Sequence, residues 1–207
     1  MPKNAKDIKL SILILSIPTR FGIVKPLFDK LITQIGDRED VEILSLMDNK
    51  SLHIYEKRNE LLKIARGSHI AWLDDDDDVA DDYVQVITEA IKDKPFTDVI
   101  SFNQTCYLEG KKALVFAAME HPHQPVLWDP QVNKYKDTLR RPWHWCVWKT
   151  SLATSEPFKE AYDAGGQSCE DIDWLERLYP KVKDSLYLKD SFLHVYRWSA
   201  TTTESVL

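Results

Sequence analysis

The chain has few glycines and few cysteines for its 207 residues. The six glycines form neither a GxGxxG nor a GxxxxGK[ST] pattern, which argues against a Rossmann dehydrogenase or a P-loop enzyme. Cys106, Cys146 and Cys169 are far apart in sequence, and no Cys/His pair has the spacing of a zinc site. We therefore expect reduced thiols that are mostly buried.

The sequence also lacks a long apolar segment and an excess of positive charge. The longest apolar run, residues 10–17, contains two serines and is too short to span a bilayer, and no small-residue cleavage site follows it. We expect a cytoplasmic protein without a membrane span. The net charge of −6 gives no general attraction to nucleic acid, although Lys134, Lys136, Arg140 and Arg141 form a candidate basic patch.

Apolar periodicity in the first half predicts alternating strands and helices. The predicted strands are residues 10–17, 41–47, 69–73 and 98–103, and the predicted helices are 23–35, 55–66 and 81–92. Pro26 is expected in the first turn of the first helix, and Asp81 is expected to cap the third. This order predicts a parallel sheet with helices on both faces, which binds ligands at the carboxyl ends of its strands.

The second half has a different pattern. Residues 105–108 and 113–118 suggest a hairpin, and residues 120–141 contain three prolines and suggest a long loop. An aromatic, alternating segment follows at 142–148. A helix is predicted from about Glu170 to Pro180, and short strands are predicted at 186–188 and 192–196.

Five adjacent aspartates, Asp74 to Asp78, follow the third predicted strand. Their carboxylates repel one another and resist desolvation unless a cation lies among them. In extended geometry Asp74 and Asp76 project to the same side and can converge on one hard metal ion. The alternative is a solvated acidic loop that also caps the next helix.

Taken together, these segments resemble the family 2 glycosyltransferases of the GT-A fold. The motifs that carry the resemblance are residues 10–20, which look like the opening strand and turn; residues 57–59 and 65–77, which are similar to the "ARN…A.G.YI.FLD.DD" signature; residues 166–171, which look like the "ED" motif; and His194, at the place of a C-terminal histidine. The resemblance covers residues 8–200. No glycine-containing acceptor loop precedes the ED motif unless Gly165-Gly166 or residues 143–145 replace it.

The resemblance implies a fold, a domain plan and an activity. It implies one α/β domain over residues 1–207, with a mainly parallel central sheet flanked by helices. Residues 8–103 would form a nucleotide-binding half and residues 104–207 a smaller acceptor-binding half. The implied activity is metal-dependent, inverting transfer of a sugar from a nucleotide sugar, with a UDP-sugar as the expected donor and Mn²⁺ or Mg²⁺ as cofactor. The acceptor hydroxyl would belong to a glycan, a small molecule or a hydroxylated nucleobase.

Two other functions remain open at this point. One is a sugar-phosphate nucleotidyltransferase, although the Gly-rich basic loop usual after the first strand of such enzymes is missing from residues 17–21. The other is a non-catalytic nucleotide-sugar-binding module. UDP release, pyrophosphate formation and binding without turnover would distinguish the three.

The resemblance also implies roles for the acidic run. Asp76 is the expected direct metal ligand, Asp74 contacts ribose or metal-bound water, and Asp77 orients the metal and the donor sugar. Asp75 is grouped with the donor-binding residues, although we expect Asp75 and Asp78 to be mainly solvated. His194 is either a further metal ligand or a hydrogen-bonded core histidine.

Further donor-binding roles fall on the turn after the first strand and on two charged residues. Pro18, Thr19 and Arg20 would contact the nucleotide. Asp48 would accept a hydrogen bond from uracil, or else serve the chemistry of its own turn. Arg58 would neutralise phosphate or stack near the base, or else lie on the surface of an amphipathic helix.

On the acceptor side, Asp171 is the expected general base and Glu170 positions acceptor or base. An external base opposite the leaving group implies direct displacement and inversion. Aromatic side chains suit a sugar platform, for which the candidates are Trp143, His144, Trp145 and Trp174. For each tryptophan the alternative is packing in the core.

Overall fold

The computed structural model describes residues 8–166 and 168–198. The helices are α1 (Phe21–Ile35), α2 (Ile54–Ile64), α3 (Tyr83–Asp93), α4 (Thr150–Ala153) and α5 (Glu170–Leu178). The strands are β1 (Leu10–Ser16), β2 (Val41–Met47), β3 (His69–Leu73), β4 (Asp78–Val79), β5 (Val99–Leu108), β6 (Lys111–Ala117), β7 (Trp128–Asp129), β8 (Lys134–Tyr135), β9 (Thr138–Arg140), β10 (Val147–Lys149) and β11 (Ser185–Trp198). Short 3₁₀ turns at Pro18–Arg20 and Tyr179–Lys181 follow β1 and α5.

One curled, mainly parallel sheet forms the centre of the fold. Its strand order is β2-β1-β3-β10-β5-β11-β4, and β6 and β9 extend it beyond the second half of β5. β1 is parallel to both β2 and β3, and β5 is parallel to β11. The mixed α/β architecture predicted from the sequence is confirmed.

The strand β10 is an exception that the sequence pattern did not predict. It lies between β3 and β5 and is antiparallel to both, so the third and fourth predicted strands are not neighbours. Its register pairs Val147 with Ala71 and Lys149 with His69. Because the pairing is antiparallel, the residues just before Val147 lie near the carboxyl end of β3.

Two pairs of predicted strands are single long strands. β5 runs without interruption from Val99 to Leu108, and β11 runs from Ser185 to Trp198 with register shifts near Phe192. The predicted loop at 120–141 contains the small β7–β8 hairpin and β9, which pairs in parallel with β6. The prediction of a long loop was therefore wrong for these three short strands.

Two local predictions for the helices were also wrong. α1 begins at Phe21, so Pro26 lies inside the helix and not in its first turn. Asp82, not Asp81, precedes α3, and its side chain makes no capping hydrogen bond. Asp81 instead forms an ion pair with Lys30 at 3.0 Å.

The core lies between the sheet and the helices that cover it. β1 is almost completely buried, and α1 contributes Val24, Leu27 and Leu31 from one face. Gly67, before β3, lies so close to β1 that a β-carbon there would be 2.6 Å from the backbone nitrogen of Ser11. Within the part of the chain that the structure describes, no helix has both the length and the apolar character needed to cross a bilayer.

Candidate active site

Three segments that follow parallel strands meet at one edge of the sheet. The 3₁₀ turn follows β1, Asp48 follows β2, and the acidic run follows β3. Because β1, β2 and β3 are parallel, their carboxyl ends lie at the same edge, as the sequence predicted.

The acidic run forms a tight turn and is not extended. The backbone N–H of Asp77 donates to the carbonyl of Asp74 at 3.1 Å, and the N–H of Asp74 donates to the Asp77 carboxylate at 2.9 Å. The expectation that Asp74 and Asp76 share one side of an extended chain was therefore wrong. The turn directs the carboxylates of the run toward different partners.

Arg20 holds the middle of this turn. Its Nη2 lies 2.6 Å from Asp75 and 3.0 Å from Asp76, and Ser16 donates its hydroxyl to Asp75 at 2.7 Å. Asp75 is buried and paired, so its predicted solvation was wrong. Burial and the negative charges of Asp77 and Asp74 raise the pKa of Asp76 to about 6, against the opposing effect of Arg20.

Asp78 was also predicted to be mainly solvated, but it contacts two cations. Its carboxylate lies 3.1 Å from Lys30 and 3.4 Å from Arg197. Pro18 and Thr19 are exposed on the turn after β1, which leaves them available to a ligand at this edge.

Arg58 joins the acidic run to the start of α5. This guanidinium is buried, with Nε 3.1 Å from Glu170 and Nη2 3.6 Å from Asp74. It also lies over the ring of Trp72, 5.0 Å from its centroid. Arg58 is thus not a surface residue of α2, and its guanidinium is paired with carboxylates from two segments. Glu170 is buried too, and it accepts a second hydrogen bond from Ser168 at 2.7 Å.

His144 lies between the two groups of carboxylates. Its Nδ1 is 2.8 Å from Asp171 and its Nε2 is 3.5 Å from Asp74. Burial by itself would lower the pKa of His144, but the two carboxylates outweigh it and raise that pKa to about 9. Burial would raise the pKa of Asp171, but His144 and then Arg58 hold it below its ordinary value. The imidazole is therefore a charged bridge between the acidic run and α5.

His194 is a second histidine in contact with the acidic run. Its Nε2 lies 2.9 Å from Asp77, and its Nδ1 lies 2.8 Å from the Gln104 side-chain amide nitrogen. The ring is 1% exposed and stacks on Trp145 with the planes 8° apart. This environment matches a hydrogen-bonded core histidine more closely than an open metal ligand.

Two carboxylates of the run, those of Asp76 and Asp77, could be ligands of a divalent cation. Asp77 Oδ1 is buried and has no hydrogen-bond partner among the described residues. Asp76 has a partly exposed carboxylate destabilised by its acidic neighbours. No three histidine, cysteine or acidic side chains of the described chain already converge as a metal site. These carboxylate oxygens fit a hard divalent cation that would take its remaining ligands from outside the described side chains.

Asp48 is engaged by its own turn. Its Oδ2 accepts from the backbone N–H of Ser51 at 2.7 Å and of Leu52 at 2.9 Å, and its Oδ1 contacts Lys57. Burial opposes ionisation, but Lys57 and these turn donors together lower the pKa of Asp48. Reading a nucleobase would require Asp48 to share or exchange these partners.

The predicted aromatic platform is only partly accessible. Trp174 is completely buried and packs on Phe158 with centroids 4.6 Å apart, and Trp145 packs on His194. The core-packing alternative therefore describes both. Trp143 is half-buried and stacks on the exposed ring of His123 at 5.1 Å.

Sequence reasoning missed several polar residues that organise the site. Ser16, Gln104 and Ser168 contact Asp75, His194 and Glu170, respectively. Ser16 was detectable as a polar residue in a mainly apolar strand, whereas Gln104 lies among other polar residues of β5, and nothing in the sequence indicated the partner of either. Gln167, within the ED motif, lies outside the described residues. A separate cavity of about 850 Å³ lies between α2 and residues 150–157, and no predicted site residue lines it.

Comparisons with known proteins identify structures that are similar to this chain in fold. No family model matches the chain, and no curated protein matches it. Crystal structures of S. aureus TarS are similar to it in fold. For TarS 1-349 in complex with UDP, the TM-score is 0.62 at 13% identity, over 93% of this chain and 61% of that chain. For TarS 1-349 in complex with UDP-GlcNAc, the TM-score is 0.60 at 12% identity, over 96% of this chain and 60% of that chain.

At 12–13% identity these matches are evidence of the fold alone. The chain has a GT-A-like fold and spans about 60% of the length of TarS 1-349.

Proposed function

We propose that this chain is a metal-dependent, inverting glycosyltransferase that uses a nucleotide sugar, with a UDP-sugar as the expected donor. One observation carries the proposal: His144 links the acidic run after β3 to Asp171 at the start of α5. A donor-side and an acceptor-side carboxylate group thus lie side by side at the carboxyl edge of the sheet. The same fold binds UDP and UDP-GlcNAc in S. aureus TarS.

The donor would lie over the acidic run. Asp76 and Asp77, with Asp74 beside them, would hold a divalent cation through carboxylate oxygens. When bound, such a cation neutralises the charge that develops on a departing diphosphate. Arg20 keeps the turn compact through Asp75 and also contacts Asp76, so cation binding would compete with part of that ion pair.

The acceptor would approach from the side of α5. Its hydroxyl oxygen forms a bond to the anomeric carbon as the bond from that carbon to the diphosphate oxygen breaks. Asp171 accepts the hydroxyl proton, and the nucleoside diphosphate leaves with the electron pair. Because nucleophile and leaving group are on opposite faces of the sugar, the anomeric configuration inverts. His144 fixes the orientation of the Asp171 carboxylate.

A non-catalytic nucleotide-sugar-binding module is the second candidate. The observation that favours it is internal charge compensation: Arg20 contacts two carboxylates of the run, Arg58 contacts a third, and His144 lowers the basicity of Asp171. These ion pairs stabilise the carboxylates that they contact whether or not the chain turns over a substrate.

One experiment separates these functions and also tests the nucleotidyltransferase alternative. UDP and a panel of UDP-sugars are titrated with and without Mn²⁺, and products are then analysed. UDP release coupled to an inverted glycoside supports the proposal. Pyrophosphate formation indicates a nucleotidyltransferase, and binding without turnover of any donor indicates a module. Retention of configuration contradicts the direct displacement.

A further inference from the structure

The arginines of the chain divide into two groups. Of the eight arginines, six contact a carboxylate: Arg20, Arg38, Arg58, Arg66, Arg177 and Arg197. Neither of the other two, Arg140 and Arg141, has a carboxylate within 4 Å among the residues that the structure describes. A guanidinium forms its strongest hydrogen bonds with an anion. Two adjacent guanidinium groups without a carboxylate partner, in an acidic protein, therefore indicate a candidate anion-binding position.

Both unpaired arginines lie against aromatic rings beside the candidate site. Arg140 lies over Trp143, 5.1 Å from the ring centroid, and Arg141 lies over Tyr179 at 5.2 Å. These contacts restrain the guanidinium groups without neutralising them. The chain then continues directly from Arg141 through Trp143 to His144, which contacts Asp171 at 2.8 Å. The arginines therefore border the acceptor side of the site.

The electrostatics of the surroundings agree with a local positive potential. Partial burial lowers the pKa of Arg140, which means that its charge is incompletely solvated and not fully compensated. Burial, followed by the charges of Arg140 and Arg141, lowers the pKa of the nearby His123. Glu176 opposes this effect and, with Arg141 and Tyr179, lines a cleft of about 270 Å³. Glu176 remains more than 4 Å from either guanidinium, so the cleft has room beside it.

Arg140 and Arg141 are the members of the candidate basic patch that lie beside the candidate site. Lys136 forms an ion pair with Asp129 at 3.6 Å, and Lys134 lies exposed on β8. The donor diphosphate is an unsuitable partner for Arg141, because Arg141 lies on the cleft formed with Tyr179 at the end of α5 and not on the acidic run.

We propose that Arg140 and Arg141, with the half-buried ring of Trp143, form a subsite for an oxyanion on the acceptor, so that the acceptor is a hydroxyl compound carrying phosphate or carboxylate. This inference rests on the proposed glycosyl transfer and specifies the substrate class of the same site. The aromatic ring would contact the carbon skeleton, and the two guanidinium groups would hold the anion. Arg140 already donates from Nε to the Gln124 carbonyl at 3.2 Å, but a neutral sugar acceptor would leave both cations without an anionic partner.

The test uses three small probes that share a carbon skeleton: glycerol, glycerate and glycerol 3-phosphate. UDP affinity is measured first for each protein, and probe binding is then measured by NMR titration with UDP at saturation, so that the donor diphosphate position is filled. The proteins are the wild type, Arg140→Gln, Arg141→Gln, the double variant, Arg140→Lys and the control Arg38→Gln. Arg38 is exposed and pairs with Asp40, away from the site.

The wild type should bind at least one charged probe about tenfold or more tightly than glycerol, as hydrogen bonds to charged groups allow. The preference should fall toward unity in the double variant, persist partly in Arg140→Lys, and remain unchanged in Arg38→Gln. The two charged probes show whether phosphate or carboxylate is preferred. Equal binding of all three probes to the wild type would overturn the inference. So would a variant that loses UDP affinity while keeping its preference for charged probes, because the arginines would then serve the donor. If UDP binds to none of the proteins, the proposed donor is contradicted. The probe titrations are then run without UDP, so that the preference for charged probes is still measured.

Discussion

The buried ion pair between Arg58 and Glu170 gives the sharpest stability prediction. We expect Glu170→Gln to destabilise the protein by about 3 kcal/mol, because breaking one partner of a buried pair leaves an uncompensated charge and typically costs about 3–5 kcal/mol. Both side chains are at most 5% exposed, and they are joined at 3.1 Å. The lower end of the range applies because Asp74, 3.6 Å from Arg58, retains part of the compensation.

The assay is urea unfolding followed by tryptophan fluorescence, with the midpoint and the slope compared between variants. Glu60→Gln is the matched control, since Glu60 is half-exposed and pairs only with Lys63 one turn along α2. Its cost should be about 0.5 kcal/mol or less. The double variant Arg58→Met with Glu170→Gln should be more stable than Glu170→Gln alone, because it removes the stranded charge and leaves Asp74 able to reach water. An unmet buried hydrogen bond alone would lower the free energy of unfolding by at least about 1 kcal/mol. If Glu170→Gln lowers it by less than that, with the slope unchanged, the ion-pair account is refuted.

The remaining predictions concern the site and the sheet. Asp171→Asn should lower transfer by about 10²–10⁴-fold with UDP affinity little changed, and near-normal turnover would reduce Asp171 to a helix-start acid. Asp76→Asn should abolish the Mn²⁺ dependence of UDP binding while the fold persists; UDP affinity that still depends on Mn²⁺ would remove Asp76 from the metal site. Asp48→Ala should weaken UDP more than pyrophosphate in competition titrations, whereas equal losses would exclude a role in base recognition. Gly67→Ala should cost about 1–3 kcal/mol in urea unfolding, because its β-carbon would meet backbone atoms of β1 at 2.6–2.8 Å. Gly22→Ala, with nothing within 4 Å, should instead be neutral or stabilising, and similar costs for both glycines would contradict the steric argument.

Local patterning was sufficient for most elements of the first half. The predicted strand at 41–47 and the predicted strand at 69–73 match β2 and β3 residue for residue. Their order then fixed the edge at which the acidic run and the turn after β1 meet. The fold, and the location of the site within it, follow from apolar periodicity and the direction of parallel strands.

The second half was less predictable because its elements depend on distant partners. β10 is only three residues long, and its position between β3 and β5 is set by pairing across the chain. β9 is equally short and is stabilised by β6. β9 lies in residues 120–141, where the prolines indicated a loop, and β10 ends an alternating segment whose pattern does not identify its pairing partners.

The same physical reason governs the roles of the carboxylates. A run of five aspartates is uniform in sequence, yet in the fold Arg20 takes Asp75 and Asp76, Arg58 takes Asp74, and His194 faces Asp77. These partners lie outside the run, and Arg58 and Glu170, which complete the network, are 112 residues apart. Each of these carboxylates thus has a different basic side chain as its partner. If the proposed function holds, metal binding by the run would depend on whether a diphosphate with its cation displaces Arg20 from Asp76. Arg20 is therefore the residue to substitute. Arg20→Gln should strengthen Mn²⁺ binding by the acidic run in the absence of nucleotide, and it should destabilise the turn that holds the run. If Mn²⁺ affinity fell on removal of this competing positive charge, Arg20 would be a support for the cation site and not its competitor.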